Sequence, residues 1–381
     1  MWFAPDLPDL TYKLVFEHRI RFERRDDQDF SELTSDGRSR LDNRFRIGFD
    51  FSAGKDVTGQ VRYQYSHSTF WTDALNFSDD NSDLLLGNVS WKRKEGTWTF
   101  GRQMVTTPSR RLLDVSDYSQ RPKIFDVVRF KNGQFDAMLG KVAMTSNITD
   151  YSKVGMGMLT WQAGQTMAFY RFDGSNDVNH WTLDHRYAAG QNKPWFYEIE
   201  GAVQQGQTKG KKLSSWFAHA RVNYAADAKT TIYTEANIAS GGSGHLFDPL
   251  YGTGHVPYGL MDIQGLRNMR QLEIGVQHKL SKTVTALVSF NGYGLYDKTD
   301  GWYGNSGSIN RRPGGSYVDP LGLHGRDVGQ EYNLAFSWTP DAHSTVALEF
   351  GLFRPGHFVS SFPGVDATSG AWGLLSYQVK F

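Results

Sequence analysis

The segment LDNRFRIGFDFSAGKDVTGQVRYQY, residues 41–65, alternates apolar and polar side chains over two strand lengths. Successive side chains of a β-strand point to opposite faces, so a period of two gives each face a single chemistry. The connection Ala53–Asp56 between the two runs has the glycine and aspartate of a tight turn. The segment therefore predicts a β-hairpin with one apolar face and one charged face.

The same alternation recurs along the whole chain. Candidate strands lie near residues 12–24, 39–53, 56–68, 82–93, 96–104, 123–131, 134–145, 153–163, 165–173, 178–188, 194–206, 212–226, 229–240, 269–281, 283–297, 327–339, 343–354 and 370–381. Tight turns alternate with long connections, which are 68–82, 105–122, 241–268, 298–327 and 355–369. Short turns at one end and long loops at the other are typical of outer-membrane barrels. The pattern predicts an all-β fold: a transmembrane, antiparallel, up-and-down β-barrel of about 18 strands, forming one domain over residues 1–381.

Composition fits this interpretation. No apolar run in the 381 residues approaches the roughly 18 that a membrane helix needs, whereas a barrel strand exposes only alternate residues to lipid. A net charge of +1 argues against a nucleic-acid partner. Met1–Pro5 has neither a basic start nor an apolar core, so we expect any export signal to have been removed. The last segment, Ala371–Phe381, resembles the targeting strand of bacterial outer-membrane proteins.

These features predict an integral protein of the bacterial outer membrane, in contact with membrane lipid and lipopolysaccharide. A chain whose strands close on themselves needs no partner to form a pore, so a monomer is sufficient. The cysteine count of zero suits an exported protein that avoids disulfide handling.

Charged residues on the polar faces fall into two groups. The predicted pore-lining, anion-binding arginines are Arg19, Arg21, Arg44, Arg46, Arg62, Arg102 and Arg129. Arg102 shares its face with Trp98 and Phe100, so it points inward only if a bulge near Gly101 shifts the phase. The predicted opposing acidic wall is Glu198, Glu200, Glu235, Glu273 and Glu331, with Glu349 as a further member. Guanidinium groups fit carboxylates, but mutually neutralising charge that fills a wide barrel would look the same.

Two long connections carry further candidates. The segment 105–122 is predicted to enter the pore as a constriction loop through Arg110, Arg111, Asp114, Asp117 and Arg121, the alternative being a surface loop. The segment 245–262 is rich in His, Asp and aromatic residues, and its irregular spacing favours a packed plug or gate over a metal site. The polar groups at 79–81 and 173–177 resemble calcium loops but are more typical of turns.

Motifs for metalloproteases, serine hydrolases and nucleotide binding are missing from the sequence, which predicts neither an enzyme nor a cofactor. No metal is expected.

Several segments resemble the alginate export family of bacterial outer-membrane barrels. Gly101–Gln103, Arg111–Leu113 and Phe125–Arg129 are similar to that family's strand, loop and strand around the pore constriction. Phe247–Tyr251, followed by His255, Tyr258, Gly259, Asp262, Gly265 and Asn268, resembles its large downstream loop. The resemblance implies an eighteen-stranded barrel with an arginine-rich selectivity zone that passes anionic polysaccharide.

The leading hypothesis is an outer-membrane channel for passive, selective passage of an anionic saccharide, an alginate-like polyuronate, through an arginine-lined pore. A nutrient porin for small carboxylated or neutral solutes would use the same wall with a different constriction. A third class, an outer-membrane enzyme or adhesion barrel, requires a Ser/His/Asp cluster facing lipid or loops that bind a partner.

Overall fold

The structure, a computed structural model, describes residues 9–31, 36–72, 76–144, 153–162 and 164–381. Within these ranges the chain forms twenty strands and one short helix. The strands are β1 (Leu10–Asp26), β2 (Arg38–Ala53), β3 (Val57–Thr72), β4 (Asn76–Arg93), β5 (Gly96–Gln103), β6 (Ile124–Lys131), β7 (Phe135–Met144), β8 (Val154–Trp161), β9 (Thr166–Asp173), β10 (Val178–Ala189), β11 (Trp195–Thr208), β12 (Lys211–Ala225), β13 (Thr230–Ala239), β14 (Met269–Lys279), β15 (Val284–Leu295), β16 (Arg311–Arg312), β17 (Gly315–Ser316), β18 (Asp327–Trp338), β19 (Ser344–Pro355) and β20 (Gly370–Lys380). The helix α1 covers His357–Ser360.

Eighteen of the strands form one antiparallel sheet that closes on itself. Each strand pairs with its neighbours in sequence, and β1 pairs both with β2, through Arg19↔Arg44, and with β20, through Arg21↔Ser376. The remaining two strands, β16 and β17, form a separate small hairpin in the β15–β18 connection. The predicted barrel of about 18 strands is therefore confirmed. Among the described residues, no helix combines the length and the apolar character of a membrane-spanning helix.

The two faces of the wall differ as the alternation predicts. On β2, Ile47 is 51% exposed on the outside, whereas Arg44 on the inside is 0% exposed. Apolar side chains stand outward on the other strands as well, with Leu139 at 70% and Leu183 at 56%. A band of this kind is stable only when lipid covers it.

The third and fourth strands are longer than predicted. They continue to Thr72 and from Asn76, so most of the expected long connection 68–82 is strand. Stacking of Phe70 on Phe77, with ring centroids 4.4 Å apart, helps to hold the extension together. A cross-strand aromatic pair of this kind stabilises strand pairing outside the segments in which apolar and polar residues alternate.

The tightly packed interior lies inside the barrel and is built largely from two loops. The constriction loop, residues 104–123, and the downstream loop, residues 240–268, turn inward and meet at a bridge between Leu113 and Tyr251. A Cβ atom at Gly252 would lie 1.7 Å from the Arg111 carbonyl oxygen, so only glycine permits this approach. The apolar side chains of both loops pack against the inner face of β6–β14, and Leu260 and Met261 of the downstream loop pack against β15, β19 and β20. The two larger cavities lie along β1–β4.

Candidate functional site in the lumen

The constriction loop rests on four inward-facing arginines of β1 and β2, which we call the arginine cluster: Arg19, Arg21, Arg44 and Arg46. These guanidinium groups hold the main chain of the loop. Arg19 and Arg44 each donate a hydrogen bond of 2.8 Å to the Asp117 carbonyl oxygen, and Arg21 donates one of 2.8 Å to that of Tyr118. Arg44 also donates to the Ser119 carbonyl oxygen at 3.0 Å. The wall thus fixes the loop across the lumen.

Three carboxylates compensate the positive charge of the cluster, and one of them, Asp42 on β2, pairs with Arg21 at 2.6 Å. Glu17 on the wall accepts a hydrogen bond from Arg44 at 2.6 Å, and Asp117 on the loop lies 2.6 Å from Arg46. Burial opposes ionisation of Asp117, but the charges of Arg44 and Arg46 outweigh burial and lower its pKa to about 2. Asp117 is therefore a carboxylate at any physiological pH.

The other side of the loop is tied to the acidic wall by Arg111 and by Ser109, whose hydroxyl donates a hydrogen bond of 2.6 Å to Glu200. Arg111 lies 3.1 Å from Glu198, 3.3 Å from Glu200 and 3.0 Å from Glu235, and its side chain is 6% exposed. Wall arginines also pair with two of these carboxylates, Arg186 with Glu198 at 2.5 Å and Arg221 with Glu235 at 3.0 Å. The opposite flank of the loop sits on the arginine cluster. The arginine cluster and these three predicted glutamates do lie on different sides of the lumen, and the constriction loop connects the two sides.

Two other predicted acids organise the interior differently. Glu331 accepts hydrogen bonds from the Leu260 and Met261 amides at 2.7 and 3.3 Å, and so holds the downstream loop in the lumen. Glu273 accepts a bond of 2.7 Å from the Tyr233 hydroxyl.

The remaining predicted arginines lie apart from the cluster. Arg62 faces the lumen and pairs with Asp50 at 2.8 Å. Arg129 also faces inward, but it pairs with Asp136 at 2.7 Å beside the short β6–β7 turn, away from the loop. Within the loop, Arg110 pairs with Asp114 at 2.8 Å, and Arg121 pairs with Asp79 on β4 at 3.0 Å.

The inward assignment of Arg102 is wrong. The β5–β6 register runs without a shift from Thr97↔Lys131 to Gln103↔Phe125, so the expected bulge at Gly101 does not change the phase. Arg102 stays on the outer face of the wall, where it forms a bidentate pair with Asp126 at 2.8 and 2.9 Å. Register shifts in this region lie instead between Arg62 and Tyr63 in the β3–β4 pairing and between Ile124 and Phe125 in the β6–β7 pairing.

The downstream loop has the form of a packed plug. Asp248 is compensated by Arg171 at 2.5 Å, His180 at 3.0 Å and Arg267 at 3.4 Å. His255 stacks on Tyr118 of the constriction loop, with ring centroids 3.5 Å apart. These contacts join the downstream loop to the barrel wall and to the constriction loop, which fits the interpretation of the segment as a packed plug or gate.

Neither polar segment, 79–81 or 173–177, forms a metal-ligand cluster. Residues 79–81 lie within β4 and not in a turn. Asp173 accepts bonds from the Ser175 and Asn176 amides at 3.1 Å, which is an ordinary Asx turn. Among the described residues, one group of three acids lies close enough to share an ion: Asp27, Asp29 and Asp36, in the β1–β2 connection. Carboxylates grouped at an exposed connection are common without a metal.

Above the constriction loop lies an outer cavity of about 710 Å³, open toward the end of the barrel with the long connections. Its lining includes six basic side chains, Arg21, Arg25, Arg38, Arg40, Arg121 and Lys123, and five carboxylates, Glu23, Asp26, Asp27, Asp79 and Asp262. Sequence reasoning missed Arg25, Arg38 and Arg40. Their parity matches that of the predicted inward arginines on the same strands, so the alternation contained the signal.

An inner cavity of about 420 Å³ lies on the same wall near the short turns. Hydroxyl and amide groups dominate its lining, including Thr11, Ser52, Gln60 and Ser90. The open space in the barrel therefore follows β1–β4, with a charged outer half and a mostly neutral inner half.

The outer face of the wall carries one hydrogen-bonded row that resembles a catalytic triad. Asp80 lies 2.7 Å from His67 Nδ1, and His67 Nε2 lies 3.0 Å from the Thr69 hydroxyl. Thr69 is paired on both sides, with Leu41 and Ser78, so the sheet ladder uses the backbone amides that could stabilise an oxyanion. The row has the order of a triad without an oxyanion hole.

Comparison with known proteins identifies a family and solved structures that share this architecture. The profile of the alginate export family matches residues 11–370. The structure is similar to OccK5 (OpdH) of Pseudomonas aeruginosa, with a TM-score of 0.64 at 12% identity, covering 97% of this chain and 98% of the other. It is also similar to OprD of the same organism, with a TM-score of 0.62 at 11% identity over 97% and 93% of the chains. OccAB2 of Acinetobacter baumannii gives 0.65 at 8% identity over 97% and 98%. Curated sequences give no match.

A closed barrel of eighteen strands with an apolar belt and a loop across its lumen defines a porin-like channel of the bacterial outer membrane. Within that class, the chain belongs to the alginate export family. Both the predicted family and the predicted location are confirmed.

Proposed function

We propose that the channel conducts carboxylate-bearing solutes passively, and that the basic side of the outer cavity selects them. The observation that carries the proposal is the set of six basic side chains in that cavity, above a loop that the arginine cluster holds in place. Arg38 lies at the cavity wall, and no carboxylate in the described part of the chain lies within 4 Å of it. Arg38 is thus available to a planar carboxylate, which a guanidinium binds through two hydrogen bonds.

The size of the cavity favours a small solute. A volume of about 710 Å³ lies in the range of roughly 300–1,000 Å³ that holds small molecules. A sugar acid or another small organic acid therefore fits better than a polymer. The alginate-like polyuronate remains the second candidate, because the family to which the chain belongs is described by alginate export.

Ion selectivity tests the proposal. In planar bilayers under a salt gradient, we expect the reversal potential of the purified channel to show anion preference, and we expect Arg38→Gln to reduce it. Arg93→Gln provides a matched control, since Arg93 lies on the outer face over Trp91 and should leave selectivity unchanged. Strong cation preference that Arg38→Gln does not alter would contradict the proposal.

Solute size separates the two candidates. Liposome swelling with glucuronate and with its oligomers of increasing length measures the largest acid that passes. Rapid entry of the monomer with exclusion of oligomers supports the small-acid channel, whereas passage of long oligomers supports the polyuronate channel.

A further inference from the structure

The loop segment 116–120 separates the two cavities. On β1 the inner cavity touches residues 11–13 and the outer cavity begins at Arg21, while on β2 the corresponding limits are residues 50–52 and Arg40. The arginine cluster lies between these limits and holds the segment. A solute that follows this wall must therefore meet the segment between the two cavities.

The charges beneath the segment are incomplete without the loop. Arg44 and Arg46 share two carboxylates within 4 Å, those of Glu17 and Asp117. Lys380 also lies 3.6 Å from Glu17, whereas Arg19 has no carboxylate within 4 Å in the described part of the chain. Glu17 belongs to the wall and its side chain is 9% exposed. Asp117 comes from the loop, and its side chain is 33% exposed. The accessible half of the compensation is thus a loop carboxylate.

Resting on the proposed function, we propose that Asp117 is a specificity-determining residue of the channel. Its carboxylate occupies the position on Arg44 and Arg46 that the carboxylate of a passing solute takes. A carboxylated solute replaces one charge-assisted contact with an equal one, so the exchange leaves the arginines compensated. An uncharged solute of the same size offers no such replacement, so the segment stays closed to it.

The geometry of the segment suits an exchangeable ligand. Apart from Asp117, the guanidinium groups hold the segment through neutral acceptors, which are main-chain carbonyl oxygens and the Gln120 side-chain amide oxygen. Neutral acceptors bind guanidinium less strongly than a carboxylate does. Ser116, where the segment begins, has φ of 50°, a left-handed conformation that residues other than glycine adopt at a cost. Release of the segment removes that cost.

Single-channel recording tests this role with glucuronate as the probe and glucose as its neutral counterpart. In the wild-type channel, glucuronate on the outer side should raise the open probability, and glucose should not. In Asp117→Asn, the open probability without solute should be about tenfold higher, the size expected for loss of one charge-assisted hydrogen bond, and glucuronate should add little. Asp117→Glu should retain the response to glucuronate. Glu95→Gln, in the exposed β4–β5 turn, removes the same charge and should behave as wild type.

The outcomes separate this inference from the proposed function. An anion-selective wild type whose open probability ignores glucuronate overturns the role of Asp117 and leaves the proposed function standing; so does an Asp117→Asn channel identical to wild type. A cation-selective wild type overturns the proposed function itself. The wild-type measurement decides the question even if Asp117→Asn fails to fold.

Discussion

At the scale of single residues, the interior of the barrel depends on a few buried charges that must be matched. Arg111 is the clearest case, because it reaches three glutamates from a single position in the constriction loop. Buried ion pairs contribute little net stability when intact, but removing one partner leaves the other as an uncompensated charge. Removing one partner by substitution should therefore cost far more stability than the intact pair contributes.

Replacing Arg111 by methionine should lower the free energy of unfolding by about 3–5 kcal/mol, because the buried Glu200 loses the one cation within 4 Å of it in the described part of the chain. Glu198 and Glu235 lose one partner each and keep Arg186 and Arg221. Urea unfolding in detergent, followed by the gel mobility of folded and unfolded chains, measures the change. Arg121→Met is the matched control in the same loop. Its pair with Asp79 is 37% and 53% exposed, so the loss should stay below about 1 kcal/mol. Equal effects of the two substitutions would contradict the buried network.

The stability of the plug should depend on pH through His255. Burial lowers the pKa of His255, but Asp262 and Glu349 outweigh burial and raise it from 6.5 to about 9. A raised pKa means that the protonated ring stabilises the folded state. This stabilisation is complete below pH 6.5 and is lost as the pH rises through 9, amounting to about 3 kcal/mol at most. Thermal unfolding of wild type and His255→Gln between pH 6 and pH 10 should therefore converge at alkaline pH.

The comparison between the two proteins is necessary because Lys123 acts in the opposite direction. Burial lowers the pKa of Lys123 from 10.5 to about 8, so in both proteins its contribution to stability becomes more favourable as the pH rises from about 8 to 10.5. A difference between wild type and His255→Gln that is constant across the pH range would show that the ring does not titrate as described.

Residue positions could be predicted from the sequence as far as the alternation holds. The parity of Arg19, Arg21, Arg44 and Arg46 placed them on the inner face, and the structure has them there. The prediction for Arg102 was wrong because its inward placement required a bulge, and the alternation alone does not reveal where a bulge occurs. The loop partners of the arginine cluster were beyond prediction, since most are main-chain oxygens 73 to 100 residues away in the chain.

At the scale of elements, the constriction loop decides what the barrel can conduct. It contacts the basic wall through its residues 117–120 and the acidic wall through Arg111, and it packs on the downstream loop. The wall strands surround a wide space, and the loops reduce it to the cavities along β1–β4.

Replacing residues 116–121 with glycine and serine should raise single-channel conductance several-fold, because the partition between the two cavities is removed. Planar-bilayer recording measures the conductance in the same salt as wild type. The control is the same replacement of residues 320–323 in the β17–β18 connection, where Leu321 and Leu323 are 76% and 75% exposed. An unchanged conductance in the 116–121 variant would place the limiting constriction elsewhere.

The inward path of this loop was only partly predictable. Its arginines and aspartates suggested a pore loop, but a surface loop would carry similar residues. The decisive contacts, Leu113 with Tyr251 and Arg111 with Glu235, join segments more than a hundred residues apart. Local pattern carries no information about such pairings.

At the scale of the whole molecule, strand count and closure were readable because the bilayer imposes them. Every backbone group of a membrane sheet must be paired, so the last strand has to meet the first. The pairing of β20 with β1 satisfies that rule. Period-two alternation is strong wherever one face meets lipid and the other meets water, and it identified the strands for that reason.

A charge placed on the lipid face should be far more harmful than the same charge on the lumen face. Ile274 stands outward in the middle of β14 and is 50% exposed. Ile274→Arg should lower the free energy of unfolding in lipid by about 2–4 kcal/mol if it lies at the bilayer midplane. Gln277→Arg, on the opposite face of the same strand, is the matched control and should have little effect. Urea unfolding in lipid vesicles measures both, and a comparably large effect of Gln277→Arg would contradict the assignment of faces.

The hydrogen bonds from the arginines to main-chain carbonyl oxygens have an evolutionary consequence. Every amino acid supplies the same carbonyl group, so the side chains of Tyr118 and Ser119 can change while these anchoring bonds persist. Descendants of such a barrel can acquire new cargo by drift in a few loop positions, while the scaffold that carries them remains intact.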